Sequence, residues 1–143
     1  MKLVVDANIL IAALLRDSTT RRLLVAGGHD LHAPEYLFDE IETHRDELSK
    51  RSGQTTEALE EARSILRAHV TEHEESVYGN ELEKANSLLA GRDAKDVPYV
   101  ALALALTADG IWSEDRGLVS LGGLAVYRTS DLVRVGLRGA RRE

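Results

Sequence analysis

Four acidic residues in this sequence stand where they could bind a divalent cation together: Asp6, Glu40, Asp96 and Asp115. Asp6 directly follows the apolar run at 2–5, and Asp115 follows a second short run at 110–113. Neighbouring carboxylates repel one another by about 4 kcal/mol per pair at roughly 4 Å and an effective dielectric constant of about 20. Such a cluster is stable when a cation neutralises it or when some members stay protonated. Oxygen ligands alone suit Mg²⁺ or Mn²⁺.

Strands and helices that alternate along the chain would position these acids. Apolar runs predict strands at 2–5, 30–33, 110–113 and 124–127, and residues 69–77 are ambiguous, with a short strand at Val70 as one alternative. Apolar periodicity predicts helices at about 7–15, 18–24, 35–49, 55–68, 79–90, 99–107 and 130–137 and a short helical turn at 118–121. This order predicts an α/β fold with a parallel sheet covered on both faces. Ligands of such folds bind at the carboxyl ends of the strands.

Each acid also has a simpler explanation when it is taken alone. Asp6 lies between a strand and a helix, where aspartate commonly caps the helix. Glu40 is one of several acids on the helix at 35–49. Asp93 and Asp96 both precede the helix that Pro98 opens, and only one of them can cap it. Asp115 would be a turn residue.

Taken together, the acids form the set that a Mg²⁺ site requires, since they come from two strand ends and two helix starts or edges. Asn8 and Ser113 stand beside two of them, and the Ser113 hydroxyl could bond a carboxylate or a bound water. Lys95 stands beside Asp96 and Arg116 stands beside Asp115, where they could hold flanking phosphates of a nucleic acid.

Composition narrows the class of protein. The chain has 143 residues, 43% of them hydrophobic, which suits a single domain with its own core. It has no cysteine, which excludes disulfides and cysteine-based zinc sites. The net charge of −6 argues against a protein that coats nucleic acid, though not against an enzyme that cuts it. The apolar runs are too short for a membrane span, so we expect a cytoplasmic protein with one domain at 1–137 and a basic tail at 138–143.

Four segments in order resemble a known family. Val4–Leu10 resembles the start of PIN domains, and Pro34–Ile41 resembles the family's helix with a metal-site Glu. Asp93–Ala103 resembles the third motif of the family, and Ile111–Leu118 resembles the fourth. Any one of these motifs is weak, but the ordered set spans nearly the whole chain.

The resemblance implies a Rossmann-like three-layer α/β/α sandwich with a mostly parallel five-stranded sheet. It also implies a Mg²⁺- or Mn²⁺-dependent endoribonuclease acting on single-stranded RNA, as in the toxins of toxin–antitoxin pairs, with an antitoxin protein as partner and a homodimer as assembly. By motif, its metal ligands and catalytic acids are Asp6, Glu40, Asp96 and Asp115, with Asp93 as an auxiliary acid. Ser113 stands where many members have Thr, a change that keeps the hydroxyl.

Two other functions compete with this interpretation. The chain could be a PIN-like module that binds RNA or a protein without cutting. It could also be a metal-dependent phosphatase of the haloacid-dehalogenase type. Such phosphatases carry Asp-x-Asp after the first strand, and position 8 here is Asn, which disfavours them.

Overall fold

A computed structural model describes residues 1–15, 18–92, 94–119 and 121–142, without the side chains of residues 18, 40 and 137–142. The described strands are β1 (Lys2–Val5), β2 (Asp30–Pro34), β3 (Val70–His73), β4 (Gly110–Trp112) and β5 (Ala125–Tyr127). They form one parallel sheet in the order β3-β2-β1-β4-β5. The expected five-stranded parallel sheet is therefore confirmed.

Helices connect the strands. The described α-helices are α1 (Ala7–Leu15), α2 (Ser18–Ala26), α3 (Tyr36–Thr43), α4 (Arg45–Ser52), α5 (Thr56–Ala68), α6 (Glu75–Tyr78), α7 (Leu82–Leu88), α8 (Val97–Leu106) and α9 (Thr129–Arg142). Short 3₁₀ turns at Gly79–Glu81 and Ala94–Asp96 precede α7 and α8. Helix α8 packs against α6, α7 and the sheet, whereas α1 and α2 pack with each other and with α5. The arrangement is the α/β fold that the sequence predicts.

The centre of the sheet is the most deeply buried part of the molecule. Leu3, Val4 and Val5 of β1, and Ile111 and Trp112 of β4, have no exposed surface. Central strands of a parallel sheet are covered on both faces, which explains their unbroken apolar sequence. Strand order reverses between β1 and β4, so the carboxyl ends of these two strands form the crevice where ligands of such folds bind.

Helix α8 holds this crevice from one side. Its sequence is apolar all round, and Val100, Ala101 and Leu102 are fully buried where the helix packs against β1, β2 and β4. Pro98 lies in its first turn, as predicted, because a proline there loses no helical hydrogen bond. The start of α8 is therefore fixed against the carboxyl end of the sheet.

The helix predicted at 35–49 is in fact two helices. Helix α3 ends at Thr43, His44 leaves helical geometry with φ −99° and ψ 16°, and α4 continues to Ser52. The apolar stripe runs through Leu37, Ile41 and Leu48 without interruption, so the sequence pattern carries no sign of the bend. Gly53 then ends α4 in the left-handed conformation that glycine tolerates.

Residues 69–77, which the sequence left ambiguous, contain the edge strand β3. Only Val70 of this strand is buried, so its sequence lacks the apolar signal of a central strand. His73 at its end is half-buried, and its Nε2 lies 2.8 Å from Nδ1 of His32 on β2. The helix predicted at 79–90 begins as the 3₁₀ turn at Gly79–Glu81 and continues as α7, and the short helix α6 directly precedes it.

The last part of the chain differs in two details from the sequence pattern. Residues 118–121 are not helical where the structure describes them, and Leu121 instead forms an antiparallel bridge with Leu124. Helix α9 continues to Arg142, through residues expected as a basic tail.

No helix among the described residues is long and apolar enough to cross a membrane.

We predict that Gly110→Ala destabilises the fold by about 1–3 kcal/mol, because a Cβ there forces atoms apart in a packed sheet. It would lie 2.7 Å from the backbone oxygen of Ala125 and 2.6 Å from the Tyr127 ring. Gly79→Ala is the matched control, since a Cβ there meets nothing within 4 Å and its φ of −55° suits alanine. Urea unfolding should separate the two variants, and equal stabilities would contradict the close packing of β4 on β5.

Candidate active site at the carboxyl ends of β1 and β4

Asp6 and Ser113 meet at the crevice because their strands are neighbours in register. Val5 pairs with Trp112, and each is followed directly by one of the two polar residues. The Asp6 backbone N–H donates to the Trp112 carbonyl at 3.0 Å. The Ser113 hydroxyl, itself fully buried, donates to Asp6 Oδ2 at 2.6 Å. The first acid of the site is thus held by the strand next to its own.

Burial sets the electrostatics of Asp6, which is only 6% exposed. Loss of hydration raises the pKa of its carboxyl above the ordinary value, and the nearby negative charge of Asp115 raises it further. Hydrogen bonds from Ser113 and from the backbone N–H groups of Ala7 and Asn8 lower the same pKa in part. Asp6 therefore caps α1 and is also a destabilised carboxylate in an acidic crevice, so the two interpretations of this residue are compatible.

Asp96 reaches the crevice from the start of α8. It occupies the N-cap position of that helix, yet its side chain makes no capping hydrogen bond. It is 6% exposed and buried against the crevice. The sequence left open whether Asp93 or Asp96 caps α8; Asp93 lies outside the described residues, and Asp96 does not cap it.

Asp115 lies on the loop that follows β4, which we call the acid loop (residues 113–118). The loop is a sequence of tight turns: the Asp115 backbone N–H donates to Ser113 Oγ at 3.0 Å, and the Gly117 N–H donates to Asp115 Oδ1 at 2.9 Å. The Leu118 N–H donates to the Asp115 carbonyl at 3.1 Å. Asp115 is half-buried, and Leu118 anchors the far end of the loop in the core.

These three acids line one cavity of about 300 Å³. Its other lining residues are Ala7, Asn8, Ile11, Tyr36, Lys95 and Tyr99. Asn8, predicted as an auxiliary residue, and Lys95, predicted to bind a flanking phosphate, thus belong to the same cavity as the acids. Arg116 is exposed beside Asp115 and is not part of the cavity wall.

The fourth predicted acid, Glu40, lies in α3, one helical turn after Tyr36. Its side chain lies outside what the structure describes, so its position relative to the cavity stays a prediction. Within the described part of the chain, no three acidic or histidine side chains are grouped closely enough to hold a metal ion directly. The cavity collects Asp6, Asp96 and Asp115 on its walls, at separations wider than direct ligation of one ion by all three.

The donor set nevertheless fits a hard divalent cation. The three carboxylates and the Asn8 amide on the cavity wall offer oxygen and no sulfur or imidazole, the combination that suits Mg²⁺ or Mn²⁺. Burial, together with the nearby charge of Asp115, disfavours the ionised form of Asp6 and raises its pKa, whereas a bound cation would favour that form. Since Mg²⁺ retains several of its waters in protein sites, it does not need every acid as a direct ligand.

Sequence reasoning missed three residues at the site. Tyr36 and Tyr99 line the cavity with their rings edge to face, 6.3 Å between centroids. Arg128, directly after β5, donates to carbonyls of the acid loop. The signal available for it was its place at the end of a strand, like Asp6 and Ser113.

An apolar cavity of about 260 Å³ adjoins the acidic one and shares Ala7 and Ile11 with it. Helices α3 and α4 supply its other walls, with Leu37, Ile41 and Leu48 among them. His44 and Arg51 stand at its polar margin. The bend between α3 and α4 at His44 therefore shapes a surface beside the acids.

Comparison with known proteins identifies the fold family. The family model of the PIN domain matches residues 4–137, which is nearly the whole chain. No curated protein matches the chain significantly. The match agrees with the resemblance seen in the four motifs.

We predict that Asp6→Asn leaves the protein at least as stable as wild type in metal-free buffer at neutral pH. Asparagine caps a helix as well as aspartate and carries no charge to desolvate. Because the pKa of Asp6 is higher in the native state than in the unfolded chain, its ionisation destabilises the native state, and acidification through that pKa removes the destabilisation. The advantage of the variant should therefore shrink as the pH falls.

Urea unfolding in EDTA at neutral and mildly acidic pH measures this difference. Asp46→Asn, an exposed acid in the first turn of α4, controls for the change in net charge. A clear loss of stability in Asp6→Asn at neutral pH would mean that capping by the carboxylate outweighs the cost of its burial.

Proposed function

This chain belongs to the PIN domain family, and we propose that it is a metal-dependent endoribonuclease that hydrolyses phosphodiester bonds of single-stranded RNA. PIN domains are generally nucleases, which use divalent metals and act on nucleic acid. The observation that carries the proposal is the cavity at the β1–β4 crevice. Three acids from three separate elements line it, and two of them are buried there despite their charge.

We assign the metal site to Asp6, Asp96 and Asp115, with Glu40 from α3 as the fourth acid. The cation, Mg²⁺ or Mn²⁺, would supply Lewis-acid stabilisation to the scissile phosphate and to the attacking water. Without a cation, the acids repel the phosphates of RNA as they repel one another. This explains how a chain of net charge −6 can act on a polyanion.

The chain's own residues orient the acids and the substrate. Ser113 holds one oxygen of Asp6 by its 2.6 Å hydrogen bond and also accepts from the Asp115 backbone, so one hydroxyl couples the two acids. Lys95 on the cavity wall brings a positive charge for a phosphate flanking the scissile one. We also assign Arg116, exposed beside Asp115, to a flanking phosphate.

The aromatic rings of the cavity suit an unpaired substrate. Proteins that bind single-stranded RNA stack its splayed bases on aromatic side chains. Tyr36, which is half-buried, presents its ring beside the acids, and the buried ring of Tyr99 packs against it edge to face. A duplex keeps its bases stacked inside the helix, where the Tyr36 ring could not reach them.

The rival function is that of a module that binds RNA or a protein without cutting RNA. Such a module would use the same surface, so only a cleavage assay separates it from a ribonuclease.

We predict that the purified protein cleaves labelled single-stranded RNA with Mn²⁺ and that EDTA abolishes the cleavage. Asp96→Asn should lower the rate by about 100-fold or more, since loss of outer-shell partners alone commonly costs 10- to 100-fold at metal sites. Asp96→Asn tests the site well because the side chain it alters makes no capping hydrogen bond.

Asp46→Asn is the matched control for this assay and should retain wild-type cleavage. RNA binding without cleavage by the wild type, under Mg²⁺ and Mn²⁺ alike, would favour the binding module. Cleavage that persists unchanged in EDTA, or in Asp96→Asn, would point to a contaminating nuclease.

We further propose that the chain is the toxin of a toxin–antitoxin pair, in the cytoplasm. The support is its resemblance to stand-alone PIN ribonucleases together with the apolar cavity beside the acids, which offers a partner segment a place next to the active site. Induced expression should stop growth, and co-expression of the adjacent reading frame should restore it. Growth arrest that the neighbouring frame does not relieve would remove the antitoxin from the proposal.

The same resemblance leads us to predict a homodimer at micromolar concentration. Helix α9 buries Leu132 completely but leaves Val135 42% exposed, and α2, which packs against it, leaves Val25 39% exposed. Exposed apolar side chains on packed helices favour a protein contact. Sedimentation should give twice the chain mass of 15.7 kDa.

Two variants sharpen the assembly test. Val135→Glu should shift the protein to monomer, whereas Val77→Glu, 45% exposed on α6, should not. A wild-type monomer at all micromolar concentrations would rule the dimer out, and a dimer indifferent to Val135→Glu would place the contact elsewhere, with the α4–α5 hairpin next to be tested.

A further inference from the structure

Arg128 makes an unusual set of contacts for a half-buried arginine. Its Nη1 donates to the carbonyls of Ser113 at 2.8 Å and Asp115 at 2.7 Å, and its Nη2 donates to the Leu118 carbonyl at 2.8 Å. All three acceptors belong to the acid loop. The guanidinium therefore holds the start, the middle and the end of the segment that carries Asp115.

The chain around Arg128 strengthens this attachment. Its backbone N–H donates to Asp131 Oδ2 at 2.8 Å, which ties it to the first turn of α9. The next residue, Thr129, donates its N–H to Glu114 Oε1 at 2.6 Å and accepts from the Trp112 indole at 3.1 Å. The acid loop is thus bound to the junction between β5 and α9 rather than left to its own turns.

The acid loop carries a negative charge that its neighbours repel. Asp115 and Asp6 line the same cavity, and like charges repel across it. The Ser113 backbone N–H donates to the Tyr127 carbonyl at 3.0 Å, which ties the start of the loop to β5, whereas Asp115 is half-buried. The contacts of Arg128 therefore oppose an outward movement of Asp115.

We propose that Arg128 is a positioning residue of the active site, which fixes the acid loop so that the Asp115 carboxylate stays on the cavity shared with Asp6 and Asp96. The inference rests on the proposed metal-dependent function. Arginine suits the role because its planar fork presents several N–H donors at fixed angles, whereas the three donors of lysine share one nitrogen. Arg128 acts through Asp115 and is not assigned a contact with substrate.

The test measures Mn²⁺ affinity in a double-mutant cycle of Arg128→Met and Asp115→Asn, by electron paramagnetic resonance of free Mn²⁺. Arg128→Met should weaken Mn²⁺ binding by at least about tenfold, within the range known for supporting residues of metal sites. The double variant should bind no more weakly than Asp115→Asn alone, because Arg128 has no effect once Asp115 no longer carries a charge. Arg45→Met, at the exposed start of α4, is the control and should bind as wild type.

Arg128→Lys covers the case in which Arg128→Met fails to fold. It keeps the charge but cannot span three carbonyls, so a folded Arg128→Lys should also bind Mn²⁺ more weakly than wild type. Amide hydrogen exchange of Asp115 and Leu118 gives a readout without metal, and it should be faster in both variants than in Arg45→Met.

Several outcomes would overturn the role of Arg128 alone. These are wild-type Mn²⁺ affinity in a folded Arg128 variant, effects of Arg128→Met and Asp115→Asn that simply add, or unchanged exchange in the acid loop. A wild-type protein that binds no Mn²⁺ would instead contradict the proposed function, and the positioning role would fall with it.

Discussion

Repulsion among carboxylates that are buried at one edge of a sheet is the constraint on which this structure depends. Asp6 and Asp96 are almost without exposed surface, and Asp115 adds a third negative charge to the same cavity. Burial disfavours the ionised form of a carboxyl, and it raises the pKa of Asp6 above the ordinary value. Hydrogen bonds that Asp6 accepts from Ser113 and from nearby backbone N–H groups lower its pKa in part. A divalent cation would neutralise the negative charge that remains in the cavity.

The rest of the fold serves to hold these charges in place. The unbroken apolar strands β1 and β4 fix Asp6 and Ser113 in register, so that one buried hydroxyl joins two acids. The fully buried α8 brings Asp96 from the other side of the crevice. Loops at strand ends can carry functional residues because a rigid sheet positions them. Here Arg128, directly after β5, also donates to the backbone carbonyl of Asp115, the most exposed of the three acids.

Much of this could be predicted from sequence because it follows from short-range patterns. Apolar runs locate β1 and β4, the order of elements makes their carboxyl ends meet, and Pro98 fixes where α8 begins and hence where Asp96 lies. The bend at His44 could not be predicted, because the apolar stripe continues on both sides of it. Strand β3 was only one alternative for residues 69–77, because an edge strand with one buried residue has a weak apolar signal. The role of Arg128 could not be predicted for a different reason. Its partners are backbone carbonyls 10 to 15 positions away, and because every residue has a carbonyl, no residue type in the sequence marks them. The roles of the acids in catalysis stay predictions.

Anomalous diffraction from crystals grown with Mn²⁺ tests the central claim most directly, since it locates the ion without reference to activity. If Mn²⁺ neutralises these acids, an anomalous peak should lie in the cavity lined by Asp6, Asp96 and Asp115. Carboxylate oxygens or bridging waters should then lie at bonding distance from the ion. The same crystals of Asp6→Asn should show a much weaker peak there. A fully occupied Mn²⁺ site elsewhere, with no peak in this cavity, would contradict the account.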